Sequence, residues 1–326
     1  MPLDQHQRDI DYLRISLTDV CNLRCVYCMP EQMAFRRPAE LLTDAELFRL
    51  IALFARLGFR KIRFTGGEPT LRRSLVELVR HTAGSPGIRQ VALTTNGLLL
   101  DQLARPLADA GLTSVNVSLD TLDPARFRAL TRWGNIRDVL EGLAGAEAAG
   151  LRIKLNAVPI RGVNDSDDAV ALARLTLEHD WQVRFIEVMP FANNAGFQSG
   201  HIVREAELRA RLEAALGPLE ALHGGRLDGE ARMFRLPGAR GSLGFISPVS
   251  HPFCSACNRV RLTADGRLRL CLLRDDEGDV RELLRSGATD QALEAAIGAA
   301  VQRKPWGHDL ARDLIPANRG MSEIGG

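Results

Sequence analysis

Short strand-type runs alternate with amphipathic helical segments across residues 12–190, and this alternation restricts the chain more than any other feature. Strand patterns fall at residues 12–18, 61–65, 90–95, 113–119, 152–158 and 182–188. Helical periodicity occupies intervening stretches, as at 44–57, 74–81, 138–149 and 167–179. Strands separated by helices require βαβ crossovers, so the expected fold class is α/β with a parallel sheet, doubly wound or curled into a barrel.

The strand faces discriminate further. Leu13, Ile15 and Leu17 share one face, with Arg14, Ser16 and Thr18 on the other. Ile62 and Phe64 oppose Lys61, Arg63 and Thr65, and Val115, Val117 and Leu119 oppose Asn116, Ser118 and Asp120. Strands of a parallel sheet covered on both sides normally read as continuous apolar runs. A polar second face on several strands points instead to a lumen that binds a polar ligand; a sheet with one wetted face is the alternative.

Beyond residue 190 the rhythm stops. Residues 191–196 read as a loop, 205–216 as a helix and 222–230 as a Gly-rich turn region. Asp265-Gly266 joins the two halves of 259–272 into a hairpin. Helical patterns at 280–284 and 290–303 precede a loose tail ending in Gly325-Gly326. The net charge of +2 gives no reason to expect nucleic acid or a membrane surface as partner, so any anionic ligand must be held by locally clustered bases. The N-terminus lacks a basic region followed by an apolar run, and no apolar stretch is long enough to span a bilayer; a cytoplasmic protein is expected.

All six cysteines fall in two tight sets, 21/25/28 and 254/257/271. In a cytosolic chain such sets are metal ligands or catalytic groups rather than disulfides. Cys21, Cys25 and Cys28 follow the first strand pattern, at the strand end where ligands bind in parallel α/β folds. Three thiolates on one loop can hold a cubane cluster and leave its fourth iron open; they underfill tetrahedral zinc, and no histidine lies in the loop. Cys254, Cys257 and Cys271 are brought together by the hairpin. Here His251 could complete a Cys3His zinc site, so spacing alone leaves zinc and iron–sulfur level. Arg259 and Arg261, on one strand face, add to Arg14, Arg63, Lys154 and Arg184 from the other strands. Bases at several strand ends point to a shared anion, most naturally a polyphosphate.

Cys-x3-Cys-x2-Cys with Tyr27 before the last cysteine resembles the signature of the radical SAM superfamily. Thr65-Gly66-Gly67-Glu68-Pro69 resembles that family's loop against S-adenosylmethionine (SAM), and Ser118 and Met189 match SAM-contacting positions. The second cysteine set with Asn258-Arg259-Val260-Arg261, together with Leu93-Thr94-Thr95-Asn96-Gly97, Arg184-Phe185-Ile186-Glu187 and the Gly-Gly tail, narrows the likeness. It resembles the branch that cyclises GTP in the first step of molybdenum-cofactor biosynthesis.

The resemblance implies an incomplete (β/α)6 radical SAM barrel over residues 1–220, its open side closed by a small iron–sulfur domain at 221–326. It implies two [4Fe-4S] clusters: one on Cys21, Cys25 and Cys28 that binds SAM with Tyr27, Gly67, Glu68, Ser118 and Met189, and one on Cys254, Cys257 and Cys271 that binds the guanine of GTP. Arg14, Arg63, Thr94, Lys154, Arg184, Arg259, Val260 and Arg261 would hold the nucleotide. Arg14, Arg259, Arg261, Gly325 and Gly326 would serve catalysis, the tail by entering the active site. A 5′-deoxyadenosyl radical would take hydrogen from ribose C3′, and the C3′ radical would attack guanine C8. Implied partners are an electron donor such as a flavodoxin, the cyclic pyranopterin monophosphate synthase that takes the product, and a second copy in a homodimer. The competing readings are a radical SAM peptide-modifying enzyme with an auxiliary cluster, and a zinc- or cluster-bearing interaction module.

Overall fold

The computed structural model describes residues 2–191, 199–222, 227–312 and 314–325. Most of the expected loop at 191–196, part of the turn region at 222–230, and Gly326 therefore lie outside the described residues.

Six strands lie side by side in chain order: β1 (Tyr12–Ser16), β2 (Lys61–Thr65), β3 (Gln90–Thr95), β4 (Ser114–Ser118), β5 (Arg152–Ala157) and β6 (Gln182–Ile186). All neighbouring pairs among them are parallel, as the alternation with helices requires. The crossovers carry α1 (Asp44–Arg56), α2 (Leu75–Ala83), α3 (Leu100–Asp109), α4 (Pro124–Thr131), α5 (Ile136–Ala148) and α6 (Asp167–Glu178). Local chemistry starts several of these. Thr43 accepts from Glu46 N while the Glu46 carboxylate accepts from Thr43 N, and the side chains of Asp123 and Asn135 accept from the first turns of α4 and α5.

Helix α3 has Pro106 inside it, a residue that removes a backbone donor and usually ends a helical pattern. It persists because Leu100, Ala104 and Leu107 are all buried. Tertiary burial here outweighs a poor local signal.

The sequence pattern did not show that the sheet continues at both ends. After α7 (Glu205–Leu216) come β7 (Glu220–Ala221), β8 (Leu227–Asp228), β9 (Ala231–Arg235), β10 (Ser242–Ile246), β11 (Arg259–Leu262), β12 (Arg267–Arg269) and β13 (Glu277–Asp279). β10 pairs parallel to β6, and β11 pairs parallel to β1. The remaining strands add antiparallel outside these two, giving, among the described residues, one mostly parallel sheet of 13 strands. The hairpin at Asp265-Gly266 forms as its turn residues predict, with Arg261 opposite Arg269. α8 (Val280–Arg285) and α9 (Asp290–Gln302) follow, α9 packing near α1. Among the described residues no helix is long and apolar enough to cross a membrane.

The apolar strand faces pack under the helices: Leu13, Ile15, Phe64, Val115, Val117, Leu155 and Val183 are fully buried. The opposite faces are buried too. Ser16, Arg63, Thr65, Asn116 and Arg184 are only 1–4 % exposed, which removes the alternative of a wetted outer face. Polar groups withdrawn from water in this number require partners or a ligand.

Candidate active site

Both cysteine sets open onto one cavity. Cys21, Cys25 and Cys28 stand on the loop leaving β1, held from three directions. Arg24 donates to Cys21 O at 2.6 Å, Tyr27 Oη donates to Asp120 Oδ2 at 2.6 Å, and Asn96 Nδ2 donates to Asn22 Oδ1 at 2.7 Å. The phenol of Tyr27 thus ties the cysteine loop to the chain leaving β4. Burial raises the Asp120 carboxyl to about 6, against the lowering effect of that phenol and of Val158 N.

The Gly66-Gly67 pair lies against the same loop. A Cβ on Gly67 would sit 2.4 Å from Val20 O and 2.5 Å from Asp19 O, and Gly67 N donates to Thr18 O at 2.6 Å. The glycines therefore let the backbone leaving β2 press on the approach to Cys21, besides facing the cavity. Glu68 is buried; its Oε1 takes donors from Thr70 N, Thr70 Oγ1 and Thr95 Oγ1, while Oε2 takes only Asn96 N. One carboxylate oxygen thus retains capacity for a further donor. Gly67, Ser118 and Met189 lie on the cavity wall.

The second set sits across the cavity. Cys254 and Cys257 flank a short turn closed by Cys257 N donating to Cys254 O at 3.2 Å, and Cys271 follows β12. Arg8 donates to Cys254 O at 2.7 Å and to Trp306 O at 2.8 Å, pinning the turn to the chain after α9. Lys304 is buried and donates to Leu270 O beside Cys271. Burial pushes the Cys257 thiol up, but Lys304 and Arg259 outweigh it and leave it below the ordinary value. The same burial holds Cys271 above it.

The chemistry of these donors can be weighed against the groups they might hold. Burial raises Cys21 to about 11 and Cys28 to about 12, so without a bound cation these thiols keep their protons. A bound metal supplies the positive charge that makes them thiolates. His251, the fourth zinc ligand that spacing allowed, is exposed, with Nδ1 3.2 Å from Ser250 Oγ. Among the described residues no three His, Cys, Asp or Glu side chains close on a single ion. Sulfur-only donor sets of three suit an iron–sulfur cubane with one iron left open better than a closed tetrahedral zinc site.

Between the two cysteine sets runs a wall of cations set by strand register. Arg261, Arg14 and Arg63 are register partners across β11, β1 and β2; Arg259, Tyr12 and Lys61 are partners one step away on the same face. Arg14, Thr94, Arg259, Val260 and Arg261 reach the cavity. Arg63 stands behind, donating to Thr94 Oγ1 at 3.2 Å, and Arg184 donates to Asn156 Oδ1 at 2.7 Å. Gly244 on the neighbouring strand leaves the space that Arg184 fills, since a Cβ there would meet Arg184 Cγ at 3.0 Å. Lys154 is half-buried on β5 beside Asn116 and is not on the cavity wall.

Tyr12 escaped the sequence reading although it precedes Arg14 by one strand period. Its hydroxyl accepts from Arg63 Nε at 2.5 Å and Arg14 Nε at 3.2 Å, and Arg14, Lys61, Arg63 and Arg259 all lie within 5.9 Å of its ring centroid. Burial pushes the phenol up, but Arg14 and Arg63 outweigh it and bring it down to about 7. Burial, reinforced by Arg14 and Arg259, pushes Arg261 well below its ordinary range. So many like charges are packed here that an anionic ligand is the natural complement.

Met321 and Ser322 of the C-terminal tail lie on the cavity wall. Arg319 pairs with both Asp265 and Glu277 at 2.8–3.0 Å, Arg36 Nη2 reaches Glu323 Oε1 at 3.0 Å, and Ile324 is buried against Phe191 and Leu273. Gly325 lies at φ +67°, a conformation suited to glycine, and its carbonyl accepts from Arg261 Nη1 at 2.5 Å.

A family model for the radical SAM superfamily matches residues 15–174, and one for Molybdenum Cofactor Synthesis C matches 181–310. A GTP 3′,8-cyclase of Pelotomaculum thermopropionicum is 46% identical over 325 residues, covering 99% of both chains. That of Thermodesulfovibrio yellowstonii is 44% identical over 326 residues, again covering 99% of each. Among solved structures, Streptococcus suis SuiB bound to S-adenosylmethionine has a similar fold: TM-score 0.62 at 14% identity, over 89% of this chain and 68% of that one. With near-identical length and identity far above the level that shows fold alone, this chain belongs to the GTP 3′,8-cyclase family of radical SAM enzymes.

Proposed function

We propose that this chain converts GTP to (8S)-3′,8-cyclo-7,8-dihydroguanosine 5′-triphosphate, the first step of molybdenum-cofactor biosynthesis. The observation that carries the reading is that two cysteine triads and a register-aligned row of arginines share one cavity. That arrangement suits a substrate with an anionic end and a base. A peptide substrate would complement these guanidinium groups only through clustered carboxylates, whereas a triphosphate carries its charge in one place.

Cys21, Cys25 and Cys28 hold the SAM-binding cluster, and Cys254, Cys257 and Cys271 a second cluster that receives guanine. When bound, these clusters and SAM supply the electron and the 5′-deoxyadenosyl radical with which cyclisation begins. The protein's share is placement. Tyr27 and Gly67 fix the first cysteine loop, Arg14, Arg63, Arg184, Arg259 and Arg261 hold the triphosphate, and the tail shields the reacting ribose from water. The run from β1 to β6 forms the partial barrel at 1–220, and residues 221–326 supply the second cluster. A flavodoxin-type donor, hand-over to the pyranopterin synthase and a homodimer complete the proposal. Incubating reduced, cluster-loaded protein with SAM and GTP tests it: mass spectrometry should detect the cyclised nucleotide, and its absence in the presence of SAM cleavage would remove GTP as substrate.

Arg259→Ala and Arg261→Ala should each weaken GTP binding by about 1.5–3 kcal/mol, the range for a charged hydrogen bond. Iron content should be unchanged, because neither arginine is a ligand. Calorimetric titration reads the effect, and unchanged affinity in both variants would reduce them to scaffold residues.

A further inference from the structure

Within the cationic wall sits one acid that belongs to no sequence motif. Glu230 lies in the turn between β8 and β9, with its side chain only 12% exposed. Its Oε1 is 3.4 Å from Arg14 Nη2 and 3.7 Å from Arg184 Nη1, and its Oε2 is 3.1 Å from Arg259 Nη1. Among the described residues no other carboxylate pairs with any of these three arginines, and none pairs with Arg63 or Arg261. Three guanidinium groups thus meet a single carboxylate, with Arg261 and Arg63 in register on either side of Arg14.

That balance is incomplete in itself. Arg259 Nε and Nη2 are buried without a hydrogen-bond partner, so the wall offers more donors than one carboxylate can occupy. Burial favours the neutral acid, but Arg259, Arg14 and Arg184 outweigh it and keep Glu230 ionised. An ionised carboxylate bridging three arginines stands where a polyphosphate must stand to use the same three. Two anions cannot share that position, because like charges a few ångströms apart repel strongly away from bulk water.

We propose that Glu230 is an internal stand-in for the polyphosphate: it occupies the arginine cluster in the ligand-free chain and must be displaced when the triphosphate binds. The proposal rests on the nucleotide reading of this wall and adds a residue that acts against binding. Its use is physical. Arginines held around a carboxylate stay in place and partly neutralised, and they exchange it only for a ligand of greater charge.

Titration of cluster-loaded wild-type and Glu230→Gln protein with GTP and with inorganic tripolyphosphate tests this. The variant should bind both more tightly, by about tenfold, equivalent to ~1.4 kcal/mol. Glu230→Asp, which keeps the charge but draws it back by one methylene, should show a smaller gain in the same direction, and it serves if the glutamine variant folds poorly. Equal or weaker binding of either ligand in the variants, with normal binding by the wild type, would make Glu230 a scaffold for the arginines and overturn the proposal while the nucleotide reading stands. Failure of the wild type to bind either ligand would overturn both.

Discussion

Cys28→Ala protein, reconstituted anaerobically with iron and sulfide, should release no 5′-deoxyadenosine from SAM under reducing conditions. The three thiols of the first set share one cavity wall, and burial keeps them protonated unless a cation replaces the proton. Losing one ligand leaves a second iron of the cubane uncovered, and the cluster is lost. Iron should fall from about eight to about four per chain, because the second set is held independently by Arg8, Lys304 and its own turn. Iron analysis and chromatography of the reaction decide the matter. A variant that cleaved SAM at the wild-type rate would remove Cys28 from the ligand set, and a variant with no iron at all would show that the two sites do not form separately.

The second large effect is expected at Gly325. Its φ of +67° is unfavourable for any residue with a Cβ, and an added Cβ would lie 2.6 Å from Thr65 Cγ2 and 3.4 Å from Ser16 Cβ. Both neighbours belong to β1 and β2, beneath the site, so the tail rather than the sheet must give way. Gly325→Ala should therefore withdraw the carbonyl that Arg261 holds and free Arg261 to move. A misplacement of this size costs about a hundredfold in turnover when reacting atoms must be held closely. SAM cleavage should continue, uncoupled from cyclisation, since the tail's contact with the first cysteine set is made by the Ser322 backbone to Cys28, upstream of Gly325. Quantifying 5′-deoxyadenosine and cyclised nucleotide in the same reaction separates these outcomes. Coupled turnover at the wild-type rate would show that the tail's conformation is unimportant.

A polar C-terminus ending in two glycines is dispensable by default. Here Arg319, Glu323 and Ile324 each find a partner from a distant part of the chain: Asp265 and Glu277, Arg36, and Leu273. Nothing in the tail's own residues announces those partners; only the resemblance to a family pointed inward.

Much of the remainder was legible beforehand, and for identifiable reasons. Period-2 alternation located β2 and β3 to the residue and put Arg14, Arg63 and Asn116 on the ligand side, because a strand sends successive side chains to opposite faces whatever surrounds it. The cysteine spacings defined two cysteine sets because neighbours on one loop cannot be far apart in space. Helix α3 contains Pro106, whose local cost is offset by burial that sequence does not display. The attachment of β10 to β6 and of β11 to β1 joins segments far apart in the chain, and periodicity carries no information about such pairing. Tyr12, Lys304, Arg8 and Glu230 were missed for the same reason: alone, each reads as an ordinary strand, helix-end or turn residue.

Sequence by itself determined the alternating architecture, the grouping of the cysteines into two sets and the sign of charge on the strand faces, since these depend on covalent spacing and side-chain type. Tertiary structure alone decided that both sets open on one cavity, that three strands align their arginines in register around Tyr12, and that a single carboxylate from a distant turn is buried among them. Those features are sums of contacts between residues remote in the chain, and a charge acquires its meaning there only from what the fold places within a few ångströms of it.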